Sequence, residues 1–173
     1  QKGAAEMVFI DVPTARRRWK ISAGPVQAGL RILGFEATRA IQNVAHDVRL
    51  IAGKGTVLRV YVEPRGLSSN LRVRGEIVIS PGPGAPRTYV ISANEISLRS
   101  SQHPSLTEQR RDAALSLNFL LPSPPLGPLT VGLKRASPVS GGSDFPVLPD
   151  GNEFNVEFIS APILRTDFGH SLY

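Results

Sequence analysis

Residues that could bind a metal ion or act as a nucleophile are few in this chain and lie far apart. The three histidines are His46, His103 and His170, and none lies in H-x-H or H-E-x-x-H spacing. A zinc site needs three or four ligands, usually with two of them close together in sequence. The chain contains no cysteine, so it has neither a thiolate ligand nor a thiol nucleophile. We therefore predict no metal and no cofactor.

The remaining polar motifs favour turns over catalysis. Residues 150–153 read Asp-Gly-Asn-Glu. They lack the alternating oxygen ligands of a calcium loop, and a turn before the next strand explains them better. No G-x-S-x-G elbow is present, and the glycine-rich stretches 53–55 and 82–84 match neither common nucleotide-binding motif. The sequence therefore predicts that the protein is not an enzyme.

A basic run near the N-terminus is the first candidate for a binding site. The formal net charge of the chain is +6, which attracts anionic partners such as nucleic acid or acidic polysaccharide. The run Arg16-Arg17-Arg18-Trp19-Lys20 combines guanidinium groups, which suit phosphate and carboxylate, with an aromatic ring that can stack. The alternative is a solvated linker or an edge strand.

A second candidate for anion binding is a basic sheet face. Arg59, Arg72 and Arg74 occupy outward positions of two strands that the sequence predicts to be neighbours. Together they would offer a positive surface to an acidic partner. The alternative is ordinary cross-strand pairing of these arginines with Glu63 and Glu76.

The elements that must position these residues are strands. From residue 30 onward apolar and polar residues alternate, as in Leu58, Val60 and Val62, which is typical of half-buried antiparallel strands. The same pattern recurs at 71–79, 115–121, 129–133 and 154–158. Weaker strands are predicted at Leu30–Ala37, Thr88–Ser92, Ile96–Arg99 and Pro162–Phe168. Breakers rich in Gly and Pro separate them.

This spacing predicts an all-β fold, an immunoglobulin-like antiparallel β-sandwich of about seven to nine strands with room for one short helix. Residues 1–29 form an N-terminal basic arm or edge strand, and residues 30–173 form the sandwich domain. No apolar run is long enough to span a bilayer, so we predict no membrane span.

Two segments carry helical signals. Apolar residues from Glu36 to Val48 recur with a helical rhythm, which favours a helix there. Ser105 and Glu108 have the spacing of a capping box, which could begin a short helix through Ala114, although a charged loop is an equal alternative.

Two stretches resemble a known family. Ala37–Asn43 and Val48–Val62 are similar to the opening of immunoglobulin-like domains of the CARDB, or cell-adhesion-related, type in bacterial exported proteins. Ser116–Pro122 and Gly127–Val131 resemble a strand pair of the same domains. Arg39 stands where that opening usually has Gln. The resemblance implies that residues 36–43 are a strand running into a loop, against the helical interpretation.

The resemblance also implies a secreted, periplasmic or cell-surface protein. Some relatives carry a zinc metallopeptidase domain further along the chain, but this sequence has no peptidase zinc motif. We therefore expect a non-catalytic module that serves as a spacer, docking or adhesion-type binding domain. The alternatives are a stand-alone binder of an anionic polymer through the basic arm and sheet face, and an accessory domain of a metallopeptidase. The partner is a protein or an anionic polymer, and exposed edge strands could pair between copies.

Overall fold

The chain folds mainly into β-strands. The computed structural model describes residues 28–38, 50–149 and 151–161. Strands account for 52% of these residues and helices for 7%, which confirms the prediction of an all-β chain. The predicted basic arm up to residue 27 and the predicted strand at Pro162–Phe168 lie outside the described residues.

The described residues contain nine strands and one α-helix. In chain order they are β1 (Gly29–Thr38), β2 (Leu50–Ile51), β3 (Thr56–Arg65), β4 (Leu71–Ser80), β5 (Thr88–Ile91), β6 (Ile96–Leu98), α1 (Leu106–Arg111), β7 (Leu117–Leu121), β8 (Gly127–Pro138) and β9 (Phe154–Ile159). A 3-10 turn at Ala113–Leu115 follows α1. The weaker strands predicted between residues 30 and 99 are thereby confirmed.

The prediction of a helix beginning at Glu36 is wrong for the residues of that segment that the structure describes. Glu36 to Thr38 are the last residues of β1 and pair with β3, and residues 39–49 lie outside the described part. Backbone pairing with a central strand overrides the local apolar periodicity here. The capping box is confirmed, because the Ser105 side chain accepts from the Glu108 N–H while the Glu108 side chain accepts from the Ser105 N–H.

The strands form two sheets. The first has the order β1-β3-β7, and the second has the order β2-β9-β8-β4-β5, with β6 also paired to β4. Every pair is antiparallel except β2 with β9. β5 and β6 act as one bent strand along β4, since the pairing shifts by two residues at the Ser92–Glu95 bend.

Alternation along the strands fills one core between the sheets. Among its buried residues are Leu58, Val60, Val62, Ile77, Ile79, Phe119, Leu121, Leu129, Val131, Leu133, Val156 and Phe158. Leu30 of β1 accepts from Leu148 N–H at 2.8 Å and donates to Pro146 O at 2.7 Å, which ties the first sheet to the connection between β8 and β9. Phe35 stacks on Phe154 at 5.6 Å on that side.

The long connection after β8 is closed at its base. Phe145 N–H donates to Ala136 O at 2.8 Å, and Ser137 Oγ donates to Asp144 Oδ1 at 2.6 Å. The connection therefore leaves β8, turns at Gly141 and Gly142, and returns to the sheet before it reaches β1.

Close packing of the two sheets depends on a missing side chain at Gly75. A Cβ there would lie 2.8 Å from Leu117 Cδ1 and 3.0 Å from Phe119 Cζ. We expect Gly75→Val to lower the free energy of unfolding by about 1–3 kcal/mol, because an overpacked core must shift. Urea unfolding checks this. Gly55→Ala is the matched control, since its Cβ would meet only Pro122 O at 3.9 Å. Equal stability of the two variants would contradict the packing account.

Candidate functional site

The basic residues predicted on a sheet face do not share one. β3, which carries Arg59, lies in the first sheet, whereas β4, which carries Arg72 and Arg74, lies in the second. The prediction that these strands are neighbours is therefore wrong, because the chain crosses from one sheet to the other between them. Arg16, Arg17, Arg18, Trp19 and Lys20 lie outside the described residues.

Arg72 and Arg74 are paired with one carboxylate. Their Nη2 atoms lie 2.7 Å and 2.8 Å from the two oxygens of Glu95, in the bend between β5 and β6. The partner is thus Glu95, and neither Glu63 nor Glu76 fills that role. One carboxylate shared by two half-exposed guanidinium groups leaves part of their positive charge facing solvent.

Arg59 holds the end of α1 on the outer face of the first sheet. Its guanidinium donates to the backbone oxygens of Gln109, Arg110 and Asp112 at 2.6, 3.1 and 3.2 Å. Its Nε donates to Ser116 Oγ at 3.0 Å. The last carbonyls of a helix lack partners within it and carry partial negative charge, so a guanidinium there is stabilising.

Gln109 replaces a strand neighbour for β3. β7 pairs with β3 only as far as Val60, and Val62 lies two residues further on. The Gln109 Oε1 atom accepts from Val62 N–H at 3.1 Å, and Nε2 donates to Val62 O at 2.9 Å. The Gln109 side chain is fully buried. Its amide thus continues the hydrogen bonding of the sheet where β7 is absent.

His103 and Tyr61 form one polar cluster with Arg59 and Gln109. His103 Nε2 lies 2.9 Å from Val62 O, and because a carbonyl only accepts, Nε2 carries the proton. Burial lowers the pKa of His103 below its ordinary value. Burial, together with its hydrogen bond to Glu36, raises the pKa of the Tyr61 hydroxyl above its usual range. Every polar group of the cluster meets a structural partner, so the cluster fixes α1 in place.

Metal-binding side chains do not converge within the described residues. No group of three His, Asp or Glu side chains there is close enough to hold an ion. His103 is engaged with β3, and His46 and His170 lie outside the described residues. The predicted turn at 150–153 has a structural role, because Asn152 Oδ1 accepts from Leu133 N–H at 2.7 Å and Asn152 Nδ2 donates to Leu133 O at 2.8 Å.

The two sheets are joined by hydrogen bonds along only part of one edge. At the Ser92–Glu95 bend, Ala93 N–H donates to Asn118 O at 2.7 Å. Asn94 Oδ1 accepts from Asn118 N–H at 2.9 Å, and Asn94 Nδ2 donates to Ser116 O at 2.8 Å. These bonds join the second sheet to the edge of β7. Further along, β5 and β7 line the two sides of a groove, and we call the surface between Thr88–Ile91 and Phe119–Pro125 the seam.

The floor of the seam is an apolar groove of about 270 Å³. Its lining contains no charged residue and consists of Ile79, Pro81, Thr88, Val90, Leu120, Leu121, Pro122, Ser123, Pro124, Pro125 and Leu129. Ile79, Leu121 and Leu129 belong to the buried core. The groove is therefore a place where the core between the sheets opens to solvent.

Exposed apolar side chains lie on both strands that border the seam. Leu120, which lines the groove, is 54% exposed. Ile91 and Tyr89 are 61% and 50% exposed, and Lys134 Nζ lies 4.1 Å from the centre of the Tyr89 ring. A larger depression of about 470 Å³ on the outer face of the second sheet is more polar and contains Arg87, Lys134 and Glu153. The seam is the stronger candidate because its apolar lining adjoins open strand edges.

Comparison of the chain with family models, with curated proteins and with solved structures finds no match. No helix in the described part is long and apolar enough to cross a membrane. The resemblance to CARDB domains and the export that it implies stay predictions.

Two signals in the sequence could have pointed to the seam. Leu120-Leu121 interrupts the alternation of β7, and Tyr89-Val90-Ile91 is apolar on both faces of a strand. Both patterns place apolar side chains on a surface that alternation would leave polar. No signal in the sequence pointed to the role of Gln109, because polar residues are common on the surface of a short helix.

Loss of the Gln109 amide should destabilise the fold. In Gln109→Ala the Val62 N–H loses its partner, and an unsatisfied buried group costs about 1–3 kcal/mol. We expect that decrease in the free energy of urea unfolding. Thr107→Ala, an exposed change on the same helix, should alter it by less than about 0.5 kcal/mol. A Gln109→Ala variant as stable as the control would contradict the assigned role.

Stability should fall on acidification because of His103. Burial lowers its pKa in the folded state below the ordinary 6.5, so the unfolded chain takes up this proton first. The contribution is complete above the unfolded pKa and is lost as pH falls through the folded pKa. His103→Gln keeps an amide donor for Val62 but does not titrate. Urea unfolding between neutral pH and mild acid should show a weaker pH dependence for this variant, and identical profiles would exclude the effect.

Proposed function

We propose that this protein is a non-catalytic, immunoglobulin-like binding module that docks an extended apolar segment of polypeptide at the seam. The observation that carries the proposal is an uncharged groove between β5 and β7, two strands that each end a sheet among the described residues. The resemblance to domains of bacterial exported proteins gives the expected setting, a docking or adhesion-type domain outside the cytoplasm.

The order of the strands supports an immunoglobulin-like sandwich. Lettered along the chain, β1-β3-β7 corresponds to strands A-B-E of that fold, and β9-β8-β4-β5 corresponds to G-F-C-C′. Strand D of the constant-type domain would pair with the outer edge of β7. Here the chain between β6 and β7 forms α1 instead, which packs against β3. Among the described residues, no strand therefore pairs with the edge of β7 beyond the Ser92–Glu95 bend.

The backbone at the seam supports docking of an extended segment. Asn118 directs its N–H and C=O away from β3, and residues two apart along an antiparallel strand face the same side. The N–H and C=O of Leu120 thus face the seam. An added strand would hydrogen-bond with such an edge, and its alternate side chains would enter the apolar groove.

Selection of peptides from a random library of about eight residues, the length of a strand, tests this proposal. We expect the immobilised protein to enrich sequences with alternating apolar residues. Leu120→Glu should weaken binding of the enriched peptides at least about tenfold, because it places a charge beside the groove. Val139→Glu is the matched control, since Val139 is also exposed (45%) but lies away from the seam.

Two results would overturn the proposal. One is the absence of any enriched peptide. The other is equal binding of the enriched peptides to the Leu120→Glu and Val139→Glu variants. Circular dichroism of both variants should match that of the parent protein, because both substitutions are on the surface.

A further inference from the structure

We propose that the depression of about 470 Å³ on the outer face of the second sheet is a binding site for an acidic saccharide, a short sugar chain whose units carry a carboxylate beside their hydroxyl groups. The depression is bordered by β4, β8, the residue before β5 and the turn before β9. Its lining and that of the groove at the seam have no residue in common. A saccharide could therefore bind here whether or not the seam docks a peptide.

The floor of the depression is formed by outward residues of β4 and β8. Val78 pairs with Gly132 and Ser80 pairs with Thr130, and the residues between them on each strand belong to the buried core. A Cβ at Gly132 would lie 2.9 Å from Asn152 O, so the turn before β9 approaches this closely only because Gly132 has no side chain. The turn walls the depression on that side, and the carbonyl of Asn152 lies over the floor.

Opposite charges stand on the two flanks of the depression. Glu153 directly precedes β9 and Arg87 directly precedes β5, and β8 and β4 lie between those two strands. Neighbouring strands are about 4.8 Å apart, which places the backbones of β9 and β5 about 14 Å from each other. Neither Arg87 nor Glu153 has an ion-pair partner within the described residues. Both charged groups are therefore available to a ligand that spans the depression.

The Arg87 flank carries a second cation. Lys134 Nζ lies 4.1 Å from the centre of the Tyr89 ring, and Tyr89 is two residues after Arg87. Glu76 Oε1 lies 3.5 Å from the same ammonium. These contacts hold the ammonium toward β5, and because an ammonium has three donors, it keeps hydrogen-bonding capacity for a ligand. A ligand carboxylate on this flank would meet the ammonium and a guanidinium that can bind both of its oxygens.

The opposite flank and the floor suit hydroxyl groups. The carboxylate of Glu153 and the carbonyl of Asn152 only accept hydrogen bonds, so they need donors from a ligand. Thr130 Oγ1 donates to Asn155 Oδ1 at 2.9 Å, which leaves its lone pairs to accept as well. Sugar hydroxyls supply such donors, and a uronate unit combines them with the carboxylate that the Arg87 flank requires.

A polysaccharide fits this site better than a nucleic acid, the other anionic polymer that a basic surface could attract. Single-stranded nucleic acid binds through aromatic rings on which its bases stack. Here the ammonium of Lys134 covers one face of the Tyr89 ring. Glu153 would also repel a phosphate backbone, whereas it can accept a hydrogen bond from a sugar hydroxyl. The two unlike flanks thus select a ligand that carries both kinds of group.

Titration of the isotope-labelled full chain with the trisaccharides of galacturonate, glucuronate and mannuronate, followed by NMR, tests this proposal. We expect at least one of them to bind with a dissociation constant of about 1 mM, since the site is open to solvent. The amide signals that shift should be those of residues 87–89 and 130–134. The neutral trisaccharides of galactose, glucose and mannose with the same linkages should bind at least about tenfold more weakly, because they have no carboxylate.

Two pairs of variants separate these contacts from attraction by net charge. Arg87→Gln should weaken binding of the acidic trisaccharide at least about tenfold. Arg111→Gln, which removes an exposed arginine of α1, should leave binding nearly unchanged. Glu153→Ala should weaken binding several-fold because the sugar hydroxyls lose an acceptor. Glu157→Ala removes an exposed carboxylate that does not line the depression and should not weaken binding.

Four results would overturn the assignment. They are the absence of shifts at residues 87–89 and 130–134 with every acidic trisaccharide, equally tight binding of the neutral sugars, equal effects of Arg87→Gln and Arg111→Gln, and stronger binding in both glutamate variants. The last result would show simple attraction by positive charge. Enrichment of peptides at the seam should be the same for Glu153→Ala and the parent protein, so failure of either site is distinguishable from failure of the other.

Discussion

Backbone N–H and C=O groups at the point where a neighbouring strand ends must find other partners, and side-chain amides supply them at Val62 and at Leu133. Gln109 binds both groups of Val62 where β7 stops short of the end of β3. Asn152 binds both groups of Leu133, two residues beyond Val131, the last residue of β8 that pairs with β9. Buried polar groups without partners are costly, so the strands can differ in length only because these amides are in place.

The position of α1 follows from the first of these amides, and the seam follows from the position of α1. Held by Gln109 and Arg59, the segment between β6 and β7 lies on the outer face of the first sheet. It is therefore not available to form a strand along the edge of β7. The Ser92–Glu95 bend covers part of that edge, and no strand in the part of the chain that the structure describes pairs with the remainder beside the apolar groove. A structural cluster thus determines where the proposed docking surface lies.

Local patterns predicted the strands well and the tertiary pairing poorly. Alternation identified β3, β8 and β9, and the Ser105 capping box indicated α1 as one of two equal alternatives, because both signals arise from neighbouring residues. The prediction that Arg59 and Arg72 share one sheet face was wrong, since sequence order does not say in which sheet a strand lies. The seam was also not predicted, because it forms between strands about thirty residues apart in the chain whose divergence depends on a distant helix.

The closed base of the connection after β8 has a practical consequence for engineering. The bond from Phe145 N–H to Ala136 O fixes the return of the chain to the sheet, while Gly141 and Gly142 form an exposed tip with open space around both α-carbons. Extra residues inserted at this tip would lengthen a loop whose ends stay fixed, and each doubling of loop length costs only about 0.6 kcal/mol. The tip is thus a suitable place to graft a reporter or an affinity tag without disturbing the seam.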